Sequence, residues 1–227
     1  MTEEKALTEQ ESLRLITEMI NKAKTGFHGS GTSSILWGTV VAIAGLVSFS
    51  EREWNFSIGF DIWYIVLAAL VPQIIITIRD NRQRKAVSHH ESAMNAIWLV
   101  YGISIFAINF YLNIVPVQSE RILAGEGKEL LLRTISTGAT EHYRPGIMSG
   151  FSLLLLMYAI PTLATGIARK FLPMLIGGIL CYVYFFISFY TISTYDLLLN
   201  GIAGITCWLI PGLILRNRYL KAKRANV

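Results

Sequence analysis

The chain has 227 residues, of which 53% are hydrophobic and 15% charged, where an average soluble domain carries about 25% charged residues. So small a charged complement covers an aqueous surface poorly, which argues against a soluble enzyme, a coiled coil and a disordered tail. The net charge of +5 acquires meaning only once its residues are located, and they point to a membrane rather than to nucleic acid.

Residues 1–30 read as a cytoplasmic amphipathic helix. Thr8 with Glu11 three positions later forms a capping box, a helix start. Leu13, Ile16, Ile20, Ala23 and Phe27 then recur at spacings of three and four, while Glu11, Arg14, Glu18 and Lys22 occupy other faces. Such a stripe requires a partner surface. The inner leaflet or the protein's own bundle would serve, and so would a soluble protein, for which Leu13, Ile16, Ile20 and Phe27 are the docking candidates. The opening segment is acidic and amphipathic rather than basic and continuously apolar, so no signal peptide is expected and the first span would act as its own insertion signal.

Six apolar stretches follow, at 31–50, 60–78, 94–115, 146–168, 171–190 and 197–215, free of Asp, Glu, Lys and Arg apart from Asp61 at the edge of the second. Each suffices to cross about 30 Å of hydrocarbon, and none shows the charged face of a soluble core helix. The expectation is an all-α polytopic membrane protein. It comprises the helix of residues 1–30, a six-helix transmembrane domain over 31–215 and a basic cytoplasmic tail at 216–227. The pair Arg169-Lys170 leaves so short a connection that the fourth and fifth spans must form a hairpin.

Orientation follows from the basic residues. With the N-terminus inside, 15 of the 20 Lys and Arg fall on the cytoplasmic side, leaving Arg52, Arg121, Lys128, Arg133 and Arg144 outside. That asymmetry predicts both termini in the cytoplasm of a bacterial inner membrane. Trp37, Trp63 and Trp98 lie near span starts, where indoles anchor at the headgroups, whereas Trp208 lies deep in the sixth span, facing lipid or packed between helices.

Two connections carry further pattern. The external loop over 116–145 is long for a compact bundle. Its KELLLRTI segment, 128–135, is expected as a short helix between Gly125, Gly127 and Gly138. Glu141, His142, Tyr143 and Arg144 crowd its end and read as an interfacial anchor before Pro145 rather than as a metal or anion site. The cytoplasmic loop over 79–92 places Arg84 five positions before His89, a spacing that resembles the Arg-His motif of HEPN-type ribonucleases. With no soluble helical domain around it, this loop reads instead as a lipid-contacting basic anchor.

Within the spans, Pro72, Pro161 and Pro211 fall in the cytoplasmic halves of the even-numbered helices, and three tandem hairpins would account for the pattern. Each proline frees a backbone carbonyl and can interrupt a helix. With Gln73 and Asn109 they are the helix-kink or pathway candidates. Asp61 and Asp196 are placed at external span ends, so no buried acid is expected. Cys181 and Cys207 lie in apolar runs and read as small core residues. No hydrolase, metalloprotease or phosphate-loop motif is present, so an enzyme, a cofactor and a metal are not expected.

The opening LTEQESLRLITEMINKAK, followed by ILWG, resembles a group of small, uncharacterised bacterial integral membrane proteins that begin in the same way, most clearly over residues 7–40. The resemblance implies a six-span inner-membrane protein and brings no ligand or catalytic residue with it. The expected function is a regulatory or scaffolding membrane subunit. Its partners would be the bilayer, a cytoplasmic protein and a second copy of itself, and not nucleic acid. The alternative is a transporter of a small uncharged solute or lipid-like substrate, using the proline-interrupted helices.

Overall fold

The computed structural model describes Gln10, Leu13 and residues 30–83, 89–143 and 150–225. The chain is mostly helical. In chain order the elements are α1 (Thr32–Glu53), α2 (Tyr64–Ala68), α3 (Leu70–Gln83), α4 (His89–Gly125), a hairpin of β1 (Leu131–Arg133) and β2 (Thr140–His142), α5 (Gly150–Ala168), α6 (Leu172–Ser188) and α7 (Ser193–Ala203). A π-helical turn, Gly204–Leu209, joins α7 to α8 (Ile210–Ala225), so the last three segments run on as one rod.

Four helices among the described residues are long and apolar enough to cross a membrane: Thr32–Glu53, Ser92–Gly125, Gly150–Ala168 and Ser193–Arg224. These correspond to the first, third, fourth and sixth predicted spans. The fifth is the shorter apolar helix Leu172–Ser188. The second is divided into α2 and α3. Pro72 has no N–H to give to the Ala68 carbonyl, and the helix is broken at that turn.

Glycines set how the helices meet. A Cβ built on Gly38 of α1 would stand 2.4 Å from the backbone nitrogen of Leu209, and one on Gly45 would stand 2.5 Å from that of Gly201. From the other side, a Cβ built on Gly204 would stand 2.8 Å from the backbone nitrogen of Ala42, and one on Gly212 2.8 Å from that of Ile35. Backbone therefore lies directly on backbone along the whole α1 contact with the last rod, a close approach that small residues permit. The α5–α6 hairpin is built the same way, through Gly166 against Leu175 and Gly178 against Leu163. Its turn is a Schellman motif. Phe171 N–H bonds the Gly166 carbonyl at 3.0 Å and Lys170 N–H that of Ile167 at 3.1 Å, with Lys170 left-handed at φ 49°.

The core sits where α1, α5, α6 and the π turn converge, around Val41, Leu154, Leu155, Tyr158, Ala159, Cys181, Ala203, Cys207 and Trp208. Trp208, at 3% exposure, is packed between helices. Outside this bundle, α3 and α4 present exposed apolar faces, among them Val71, Ile75, Leu99, Ile103 and Phe106.

The segment expected as an external loop differs from that expectation in two ways. First, α4 continues through Pro116 to Gly125, taking in ten residues assigned to the loop. At 37 residues it is about 55 Å long. It stops in a second Schellman motif, with Gly127 left-handed at φ 70° and Lys128 N–H bonded to the Leu123 carbonyl at 2.8 Å. Second, KELLLRTI is not helical. Leu131–Arg133 pairs antiparallel with Thr140–His142, with Arg133 opposite Thr140. The left-handed Gly138, φ 71°, turns the chain, and the Thr134 N–H to Ala139 carbonyl bond at 2.8 Å extends the ladder. The turn chemistry outweighs the helical propensity of Leu and Lys, because eight residues are too few to sustain an isolated helix. Arg133 and Thr140 face each other at a pair without mutual hydrogen bonds, where Cα atoms lie about 4.5 Å apart, within disulfide reach. The double substitution Arg133→Cys with Thr140→Cys is therefore expected to crosslink on mild oxidation. Mass spectrometry of the linked peptides checks it, and a helix over 128–135 would leave both thiols free.

Candidate functional site

The polar groups that the fold buries are concentrated where α7 begins. Asp196, in its first turns, and Asn200, four residues on and so on the same face, are both 0% exposed. Thr191 donates its hydroxyl to Asp196 Oδ1 at 3.1 Å. Asn200 spends both amide hydrogens, one on the Asp196 carbonyl at 2.8 Å and one on the Phe151 carbonyl at 3.0 Å. Both of those partners are acceptors, so the amide nitrogen must face them and Oδ1 must point the other way. Among the described residues, Asp196 Oδ2 and Asn200 Oδ1 are left with no hydrogen-bond partner.

The surroundings are apolar or already engaged. Ser188 gives its hydroxyl to the Phe185 carbonyl at 2.6 Å. Gly45 brings the backbone of α1 onto Gly201 and the Leu197 carbonyl, and Phe49 lies against Tyr195 with ring centroids 5.9 Å apart. The contacts bring one basic side chain to this end of α7, Arg52 near the C-terminus of α1, which donates to Ser193 Oγ at 3.4 Å and covers the Phe151 ring at 5.4 Å. A buried acceptor without a donor costs about 1–3 kcal/mol, and more when it is charged. Two on one helical face, four residues apart, offer oxygen ligands to a positive occupant.

Sequence reasoning placed Asp196 at an external span end and expected no buried acid. The structure corrects this: α7 begins at Ser193 with Tyr195 still exposed, and burial starts at Asp196, against α1 and α5. The signal available was the Asp-x3-Asn spacing, which puts two polar groups on one helical face next to the α1-facing Gly201.

The other candidates take separate places. Gln73 joins α3 to α1, accepting from the Trp37 indole at 3.0 Å and donating to Ser33 Oγ at 3.2 Å. Asn109 donates to the Ile105 carbonyl of its own helix at 2.9 Å and is otherwise exposed. Pro72 is half-buried, while Pro161 and Pro211 are fully buried. Around Pro161 the interior is filled by Trp98, Tyr101, Tyr158 and Trp208, with successive ring centroids 4.8–6.5 Å apart. Two indoles are matched to two threonines there. Trp208 donates to Thr162 Oγ1 at 2.7 Å and Trp98 to Thr165 Oγ1 at 3.0 Å, and each threonine passes its own hydrogen back to a helix carbonyl at 2.6 Å. Leu13 is helical and 64% exposed. Ile16, Ile20 and Phe27 lie outside the described residues, as do Arg84 and Arg144.

Cys181 and Cys207, both buried, bring their sulfurs to 3.0 Å across the α6–π contact. In the β1–β2 hairpin, His142 approaches Glu120 at 3.7 Å rather than Glu141, because adjacent strand residues point to opposite faces. Among the described residues no group of three His, Cys, Asp or Glu could hold a metal ion. Compared with known proteins, the chain matches no family model, no curated protein and no solved structure.

Proposed function

We propose that this chain is a six-span subunit of a bacterial inner membrane, with both termini in the cytoplasm, that docks a cytoplasmic protein through its N-terminal amphipathic helix and acts as a regulator or scaffold. The carrying observation is the apolar stripe over 13–27, whose first member, Leu13, is helical and 64% exposed. Apolar groups at i, i+3, i+4 and i+7 are the pattern by which a helix enters a hydrophobic groove.

The bundle supports this reading by how it is filled. Glycine seams and the aromatic cluster occupy the space around Pro161, so the prolines serve as packing elements and the available recognition surface is peripheral. The six spans are the four long apolar helices, the α2–α3 pair and α6, with Arg79, Arg82, Arg169, Lys170 and the basic end of α8 on the cytoplasmic side. Lipid covers the outer faces of α3 and α4, and a second copy would fit the same faces.

Ile16→Glu combined with Ile20→Glu is expected to abolish capture of the cytoplasmic partner, while yield in the membrane fraction and thermal stability of the bundle stay unchanged. Crosslinking in intact cells followed by quantitative mass spectrometry, comparing full chain, double variant and a chain beginning at Thr32, provides the check. Capture indifferent to the stripe would remove the basis of the proposal.

A further inference from the structure

We propose that Asp196 Oδ2 and Asn200 Oδ1 hold a monovalent alkali cation of the sodium type. The two atoms share a face of α7, both residues are 0% exposed, and among the described residues neither atom has a hydrogen-bond partner. This site is independent of the docking helix, since it lies at the opposite end of the first span.

The donor set selects the occupant. A carboxylate oxygen and an amide oxygen are hard ligands suited to alkali and alkaline-earth ions, not to zinc or copper. A single carboxylate neutralises one charge, whereas calcium sites gather several carboxylates. Asp196 lies near the N-terminus of α7, where the helix dipole is positive, and Thr191 donates to its other oxygen at 3.1 Å. A carboxylate buried without a charge partner is costly, and a bound cation would offset that cost. Asn200 cannot rotate to offer a donor, because both of its N–H groups are held by carbonyls. A cation satisfies both orphaned oxygens at once. The Phe151 carbonyl fixes Asn200 from α5, so the site ties the outer ends of α5 and α7 together.

The test uses the full chain purified in mild detergent. Equilibrium binding of radioactive sodium is expected to be saturable and displaced by unlabelled NaCl but not by choline chloride. Asp196→Asn and Asn200→Leu should each weaken it by about tenfold or more, as loss of a charge-assisted ligand implies. Absence of saturable binding to the native chain would overturn the proposal, as would binding that both variants retain. Should the variants fail to fold, carbodiimide labelling of Asp196 in the native chain decides, because the reagent attacks the protonated carboxyl. Sodium, and not choline, is expected to protect the residue, and labelling that sodium leaves unchanged would assign a proton alone to Asp196 and overturn the cation. Sodium-insensitive stability that instead falls with Arg52→Gln would assign Asp196 to that arginine, with the same consequence.

Discussion

Replacing Gly38 with leucine is expected to separate α1 from the last rod and to leave little monodisperse protein. The new Cβ would stand 2.4 Å from Leu209 N and 2.9 Å from the Gly204 carbonyl oxygen. Those are backbone atoms of a buried helix, which no rotamer change can move aside. Overpacking a well-filled core costs about 1–3 kcal/mol when side chains can adjust. Here the helices themselves must part, and the paired Gly45–Gly201 contact is disturbed with them. Thermal unfolding and size-exclusion in detergent read the effect. Gly102→Leu is the control, because nothing lies within 4 Å of a Cβ built there and Gly102 is exposed on α4. It should be neutral or stabilise by about 0.5–1 kcal/mol through helix propensity alone. Equal damage from both substitutions would mean that the glycine seam is not what assembles the bundle.

Trp208→Ala should destabilise the bundle by about 3–5 kcal/mol, the cost of emptying a large aromatic site in a core that cannot collapse. The indole is 3% exposed and contacts Trp98, Tyr101 and Tyr158. Its removal would also leave Thr162 Oγ1 without its donor at 2.7 Å. Trp208→Phe separates the two contributions: most of the packing stays and only the hydrogen bond is lost, worth about 0.5–1.5 kcal/mol. Thermal melts followed by intrinsic fluorescence measure both variants. A phenylalanine variant as damaged as the alanine one would place the stabilisation in the indole–threonine bond rather than in packing.

Much of the architecture is legible in the sequence. Uncharged stretches of about twenty residues have few folded options, because backbone polar groups in an apolar medium must be satisfied within the segment. Thus α1, α4, α5 and the last rod appear where charge is absent, and the Arg169-Lys170 hairpin follows from the length of its connection. The errors fall where local and long-range preferences compete. The segment 128–135 has helix-favouring residues, yet the left-handed Gly138 and pairing with Thr140–His142 draw it into a hairpin. The second span has the right composition, but the missing N–H of Pro72 divides it.

The candidate site was less legible still. Asp196 and Asn200 were visible as polar residues near a span end, but their burial depends on Gly45 admitting the backbone of α1 and on Phe151 closing over Asn200 from α5. Likewise, the 3.0 Å approach of Cys181 to Cys207 joins residues 26 positions apart on two elements. By itself the sequence determined which segments are helical and apolar and which flanks are basic, since these depend on residues a few positions apart and on their transfer between water and lipid. Only the tertiary structure decided which glycines face each other, which indole meets which threonine and which acid loses its water. Those contacts join residues far apart in the chain, and their energies exist only once the helices have docked.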